Sequence, residues 1–208
     1  LNWALRGDAM LADVLDLDPD GDALFDATPP GLLLAKFVTH VDDDALDTRA
    51  LNLPTRSSKD GGEALPLSRA DALQNHTLCD NAAVSIGCGV PNLHPSQLYH
   101  ARDNRQVVLQ QLWNLIRHEL LRPISVRQTA EFFRLMLPGE EMASLAKLLP
   151  EQLMLRWVNH HIRSWLAAHP AQDRVPPDFK IGNPDADLAD SAALAIVLHQ
   201  VAPAATPC

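Results

Sequence analysis

The chain has 208 residues, of which 47% are hydrophobic and only 5% aromatic. This length accommodates one large domain or two small ones, with a core built mainly on aliphatic side chains. The formal net charge of −9 argues against a nucleic-acid partner, because phosphate binding requires clustered Lys and Arg. Abundant Leu and Ala with few β-branched residues predict an all-α fold.

Neither a membrane span nor a disulfide framework is predicted. The apolar stretches fall far short of the ~20 residues that cross a bilayer, and no basic-then-apolar signal sequence opens the chain. Cys79 and Cys88, on or beside one apolar helix, are expected to be free buried thiols in a reducing cytosol. Because the chain starts on Leu1-Asn2-Trp3 without Met, we expect these residues to end a helix, with Trp3 in the core.

Helices are predicted on both sides of a long insertion in the first half. Residues 22–40 predict a short helical turn and then a helix with Pro30 in its first turn. Residues 54–66 predict a flexible insertion without core residues, because Ser, Gly and charged residues dominate it. Helical spacing returns over residues 67–86, and Gly87 and Gly89 mark the end of that helix.

The clearest amphipathic helix is predicted over residues 104–121. At about 100° per residue, its apolar side chains fill one arc, which we expect to lie in the core, and its polar side chains fill the opposite arc. The apolar arc contains Val108, Leu109, Leu112, Trp113, Leu115, Ile116 and Leu120. The arc expected to face solvent contains Gln106, Gln110, Gln111, Asn114, Arg117 and His118, with Val107 among them.

The second half predicts two main helices and a helical segment before them. Residues 125–137 predict a helix, residues 140–149 a short connector, and residues 151–168 a long helix. A polar loop over residues 170–187 separates the long helix from a last helix over residues 188–201. The long helix is expected to bury Met154, Leu155, Trp157, Val158, Ile162 and Trp165.

The possible metal and catalytic motifs are weak. Asp16-Leu-Asp18-Pro-Asp20-Gly21 resembles the first half of a calcium-binding loop, but Ala27 stands where the bidentate Glu is needed. His160 and His161 point about 100° apart on a helix, so they do not share a metal easily. No nucleophile has a plausible base and no Gly-rich phosphate loop exists. We therefore expect no enzyme activity, no metal and no cofactor.

Seven segments resemble, in order, the calponin-homology (CH) domains of the fimbrin/plastin family. The Arg-Trp-Val-Asn run at 156–159 resembles the helix that opens a CH domain, and Leu1-Asn2-Trp3 resembles the end of an earlier copy. The other matching segments are residues 24–36, 47–52, 75–88, 107–113 and 190–203. Gln110 and Gln111 depart from the family, which has Gly-Leu there.

The resemblance implies an all-α CH helical bundle with a partial second CH domain. It implies a first CH domain over residues 1–124, a helical linker over 125–148 and the N-terminal part of a second CH domain over 149–208. The implied function is actin-filament (F-actin) binding within a fimbrin-like bundling protein of the cytoplasmic actin cytoskeleton. Any calcium control would be in EF-hands outside this chain, and neither a membrane nor a nucleic acid is an expected partner.

The same resemblance implies an actin-binding surface on the 104–121 helix and the segment before it. Residues 67–137 hold seven basic and five acidic side chains, a balance suited to an acidic filament. An alternative is a non-actin CH adaptor that binds tubulin or a signalling partner, and another is a structural module without activity of its own. The candidate actin-binding residues are Tyr99, Arg102, Arg105, Gln106, Val107, Gln110, Gln111 and Asn114.

Overall fold

The computed structural model describes residues 1–56, 64–170, 174–188 and 191–202. These residues form two compact units, Leu1–Leu120 and Leu121–Cys208. Helices dominate both units, as the composition predicts. No helix among the described residues is long and apolar enough to cross a membrane.

The described residues of the first unit form five helices and one short strand pair. A two-residue antiparallel ladder pairs β1 (Thr55–Arg56) with β2 (Ala64–Leu65), inside the segment predicted to be a loop. The predicted insertion residues 57–63 lie outside the described part of the chain. The helices are α1 (Ala23–Ala27), α2 (Leu32–Val41), α3 (Arg69–Ser85), α4 (Pro95–Tyr99) and α5 (Arg105–Leu121).

Helix α2 forms the centre of the first core. Seven of its ten residues are buried, including Leu33, Leu34 and Val38 at 0% exposure. The prediction that Pro30 lies in the first turn of this helix is wrong. The helix starts two residues later, after Gly31 in a left-handed conformation (φ 77°). A Cβ at Gly31 would lie 2.8 Å from the Cβ of Asn75, so α2 approaches α3 closely only because this residue is glycine.

Two buried polar side chains of α3 hold the loops around α2. The Asn75 Nδ2 donates to the carbonyl oxygens of Pro30 (2.9 Å) and Asn52 (3.0 Å), and its Oδ1 accepts from the Asn52 amide (2.9 Å). The His76 Nε2 donates to the Pro29 carbonyl (3.0 Å), and burial lowers the pKa of His76 to about 4. Backbone groups that α2 and its flanking loops leave unpaired are thus satisfied by side chains.

In the second unit, the part of the chain that the structure describes contains four helices and two small hydrophobic clusters. Its helices are α6 (Met142–Leu145), α7 (Pro150–Ala168), α8 (Pro184–Asp187) and α9 (Ala192–Val201). The predicted helix over 125–137 is wrong: this segment contains only a 3₁₀ turn, Ala130–Leu135. Its Val126 and Leu135 pack with Leu145 of α6 and Leu153 of α7 in one hydrophobic cluster.

Helix α7 is held by an ion pair and by a hydrophobic cluster. An ion pair joins Arg156 Nη1 to Glu140 Oε2 (2.7 Å), with 27% and 14% of the two side chains exposed. Ile162 packs with Ile181, Ala193 and Ile196 in the second cluster. The prediction that α7 buries Met154 is wrong, because this side chain is 42% exposed. In the first unit, the prediction that Trp3 lies in the core is also wrong, because Trp3 is 83% exposed.

Asn2 and Asn159 make the same pair of hydrogen bonds, one in each unit. The Asn2 Nδ2 donates to the Leu17 carbonyl (2.9 Å) and its Oδ1 accepts from the Leu17 amide (2.9 Å). Asn159 bonds the carbonyl and amide of Ile181 in the same way, at 2.8 and 2.7 Å. Each asparagine therefore ties a returning loop to its own segment, which supports the repeat predicted from the sequence.

A ten-residue apolar helix follows this bridge in both units. Left-handed residues precede both helices, Gly31 before α2 and Ser191 (φ 61°) before α9. The two helices differ in how they are covered, since α2 is buried almost all round and α9 keeps one apolar face in solvent. The exposed side chains of α9 are Leu194, Leu198 and Val201, at 48%, 55% and 56%.

Candidate functional site

Helix α5 carries most of the predicted site residues, but it is rotated from the predicted orientation. Its buried residues are Val108, Gln111, Leu112 and Leu115. The centre of this face lies about 70° around the helix from the centre of the apolar arc. The prediction that the Trp113 side is buried is therefore wrong: Leu109, Trp113 and Leu120 are 50%, 59% and 63% exposed.

Two amide side chains explain the rotation. The Gln111 Nε2 donates to the Cys88 carbonyl (3.2 Å), and the Asn114 Nδ2 donates to the carbonyls of Cys88 (3.3 Å) and Gly89 (3.4 Å). These carbonyls follow the end of α3, where the chain turns through Gly87 at φ 78°. Buried carbonyls need donors, so the turn draws the amide side of α5 inward and pushes the tryptophan side outward.

Arg102 and Arg105, two of the candidate actin-binding residues, are ion-paired with Asp26 of α1 and with Asp22 just before it. Arg102 donates from Nε (2.5 Å) and Nη2 (2.7 Å) to the two carboxylate oxygens of Asp26. Arg105 donates from Nη2 to Asp22 Oδ2 (2.8 Å), and Arg102 Nη1 lies 4.0 Å from the same oxygen. The hydrogen bond from Arg102 holds the pKa of the Asp26 carboxyl below its usual value.

Aromatic rings lie under two of the arginines in this region. The guanidinium of Arg105 lies 4.8 Å from the ring centroid of Phe25, and that of Arg69 lies 5.7 Å from the ring centroid of Tyr99. Both distances are within the range of a cation–π contact. Tyr99 is half-buried, whereas Phe25 is 8% exposed and belongs to the core. These contacts therefore hold the guanidinium groups of Arg105 and Arg69 against the body of the first unit.

The predicted site residues divide by exposure. Gln111 is fully buried, so its prediction as a partner-contacting residue is wrong. The half-buried candidates are Tyr99, Val107 and Asn114, of which Asn114 is engaged with the turn after α3. The exposed candidates are Arg102, Arg105, Gln106 and Gln110. The surface that remains is the first half of α5 and the turn before it.

Asp22 and Asp26 are the site residues that sequence reasoning missed. Asp22 precedes α1 and Asp26 lies in it, four residues later; Arg102 lies in the turn before α5 and Arg105 is the first residue of that helix. The spacing is visible in the sequence. The pairing is not, because 76 residues separate Arg102 from Asp26 and 83 separate Arg105 from Asp22.

The other candidate chemistries have simple structural explanations. Within residues 1–56, 64–170, 174–188 and 191–202, no group of three or more His, Cys, Asp or Glu side chains could hold a metal ion. The Asp18 Oδ1 accepts from the Asp20 amide (3.0 Å), within the acidic loop before α1. Cys79 and Cys88 are buried free thiols, as predicted, and burial raises the pKa of Cys79 to about 12.

Comparison with solved structures identifies the fold. No protein-family model matches the chain. The chain is similar to the crystal structure of the actin-crosslinking core of Schizosaccharomyces pombe fimbrin, with a TM-score of 0.70 and 24% identity. The similarity covers 97% of this chain and 35% of that one, and it shows the all-α fold of CH domains.

Sequence comparison identifies the family. The chain is 32% identical to fimbrin of Saccharomyces cerevisiae over 206 residues, 31% to plastin-1 of Homo sapiens over 205, and 33% to fimbrin of Dictyostelium discoideum over 203. Each match covers 98% of this chain but only 29%, 28% and 30% of the relative, so the chain spans less than a third of their length. The extent of this similarity confirms the resemblance found in the motifs: over nearly its whole length the chain is homologous to fimbrins and plastins.

Proposed function

We propose that this chain binds actin filaments as part of a fimbrin-like bundling protein of the cytoplasmic actin cytoskeleton. One observation carries the proposal: the chain matches, over 97% of its length, a fold solved as the actin-crosslinking core of a fimbrin. The exposed first half of α5 supports it, because Gln106 and Gln110 present polar donors and acceptors beside the arginines of the preceding turn. The proposed role is binding and not catalysis.

We propose a first CH domain over residues 1–124, a linker over 125–148 and the N-terminal part of a second CH domain over 149–208. The break between compact units after Leu120 supports the first boundary. Residues 125–148 share a hydrophobic cluster with α7, so this linker is attached to the second unit. The paired hydrogen bonds of Asn2 and Asn159 support two copies of one fold.

High-speed co-sedimentation of the chain with filaments tests the proposal. The wild-type chain is expected to pellet with F-actin, and less of it at high salt. Gln106→Glu with Gln110→Glu is expected to weaken pelleting, because two new carboxylates would face an acidic filament. These positions test the surface better than reversal of Arg102 and Arg105, which would place four carboxylates together against α1 and disturb the fold.

A matched control uses the same chemical change on another helix of the same unit. Gln74→Glu with Asn81→Asp adds two carboxylates on exposed positions of α3 and is expected to leave pelleting close to the wild-type level. If both variants weaken pelleting equally, the effect is due to net charge alone, and the assignment of the binding surface to α5 is refuted. Microtubule pelleting of the wild-type chain tests the tubulin-adaptor alternative, and a folded chain that pellets with neither polymer would be a structural module.

A further inference from the structure

Four charged side chains form one network across α1 and the start of α5. Asp22 and Asp26 supply two negative charges, and Arg102 and Arg105 supply two positive ones. The contacts are direct, at 2.5 to 2.8 Å for the two principal pairs. The arginines predicted to attract an acidic partner therefore present no net charge in this arrangement.

The network is open to solvent. Side-chain exposures are 60% for Arg102, 48% for Arg105, 49% for Asp26 and 39% for Asp22. Exposed ion pairs contribute little to folding stability because water competes for both charges. A carboxylate on another molecule can compete for the same guanidinium groups, since a guanidinium binds any carboxylate through the same forked geometry.

Folding of α1 does not depend on these ion pairs. Phe25, between the two aspartates, is 8% exposed and belongs to the core of the first unit. Asp22 precedes the first residue of α1, but its side chain makes no capping hydrogen bond there. The two aspartates can therefore lose their charge without loss of the packing that holds α1 in place.

Resting on the proposed actin-binding function, we propose that Asp22 and Asp26 are internal competitors that restrain filament binding. In the free chain they occupy Arg102 and Arg105, and acidic groups of the filament must displace them. The affinity of the surface is then set by an exchange of one carboxylate for another. Because neither charge is buried, the exchange requires only side-chain rotation.

The test is filament co-sedimentation of Asp22→Asn with Asp26→Asn over a range of salt concentrations. Asparagine keeps the size of each side chain and one acceptor oxygen but removes the charge that holds the arginines. Because each exposed pair is weak, release of the two pairs is expected to tighten filament binding by about two- to thirtyfold. Binding by the variant is also expected to fall more steeply with added salt.

Two further variants separate this effect from net charge. Asp43→Asn with Asp44→Asn makes the same charge change on exposed residues beyond α2, and it is expected to leave the affinity within about twofold of wild type. Arg102→Gln with Arg105→Gln, added to the first variant, is expected to abolish the gain. Thermal unfolding of each variant shows whether the first unit remains folded.

The outcomes distinguish this inference from the proposed function. If the wild type pellets and the Asp22, Asp26 variant gains no more than the Asp43, Asp44 control, actin binding stands and internal competition is refuted. If the Asp22, Asp26 variant pellets and the wild type does not, the result supports both actin binding and internal competition, because the aspartates would then block filament binding by the wild type completely. If neither the wild type nor this variant pellets, the proposed function and the inference both fail.

Discussion

Replacement of Gln111 by leucine is expected to stabilise the first unit. Gln111 is fully buried, and its Oε1 has no hydrogen-bond partner, while its Nε2 donates to the Cys88 carbonyl at 3.2 Å. Leucine has nearly the same size and no polar atoms. The Cys88 carbonyl keeps a donor in the variant, because Asn114 also reaches it at 3.3 Å.

The expected gain follows from two opposing contributions. Removal of an unpaired buried oxygen recovers about 1–3 kcal/mol of desolvation, and loss of one neutral hydrogen bond costs about 0.5–1.5 kcal/mol. The balance is a stabilisation of about 1 kcal/mol. Gln111→Glu has the opposite sign and is expected to destabilise the unit by about 3 kcal/mol or more, because a carboxylate would be buried without a cation.

Hydrogen–deuterium exchange on peptides from α3 and α5 measures this effect in the first unit alone. A single melting temperature is less suitable, since the chain has two units and need not unfold in one step. Gln110→Leu makes the same chemical change at an exposed neighbour and is expected to shift protection by less than about 0.5 kcal/mol. Faster exchange in Gln111→Leu than in wild type would refute the reasoning, because it would mean that the amide is satisfied and stabilising.

Three further predictions concern pH and backbone strain. Burial lowers the pKa of His76 from 6.5 to about 4, so the free energy of unfolding should decline by about 3 kcal/mol as pH drops from 6.5 to 4. The variant His76→Gln keeps a donor for the Pro29 carbonyl and should remove this part of the pH dependence, measured by urea unfolding at each pH. The hydrogen bond from Arg156 holds the pKa of Glu140 below its usual value, so Glu140→Gln should destabilise the second unit at pH 7. The stabilities of variant and wild type should become equal as pH falls below the carboxyl pKa, measured by hydrogen–deuterium exchange in α7. Ser191 precedes α9 with φ 61° and no capping hydrogen bond from its side chain. Ser191→Gly should therefore stabilise α9 by about 0.5–1 kcal/mol, measured as slower hydrogen–deuterium exchange, whereas Ser191→Ala should not.

Periodicity predicted the main helices well because it depends on local spacing. The predicted segments 67–86, 104–121 and 151–168 correspond to α3, α5 and α7 within two residues at each end. The segment 125–137 was predicted as a helix and contains only a 3₁₀ turn, Ala130–Leu135. Its apolar residues are used for packing on α7, and a short irregular segment satisfies that packing as well as a helix does.

The candidate surface was predicted only in part because exposure is not a local property. Gln106 and Gln110 are exposed as expected, but Gln111 is buried by a carbonyl 23 residues earlier in the chain. Hydrophobic scales place glutamine outside and tryptophan inside, and here Trp113 and Gln111 have the reverse arrangement. A buried unpaired carbonyl outweighs the average preference of a side chain, and no spacing rule locates that carbonyl.

Sequence patterns alone were enough to predict the helical class, the order of the main helices, the repeat of Asn2 and Asn159 and the resemblance to the fimbrin/plastin family. These features follow from side-chain periodicity and from motifs read along the chain. Tertiary structure decided which side of α5 faces solvent and which acids neutralise Arg102 and Arg105. Both depend on groups brought together from distant parts of the chain, where a hydrogen bond or an ion pair forms only after the backbone has folded.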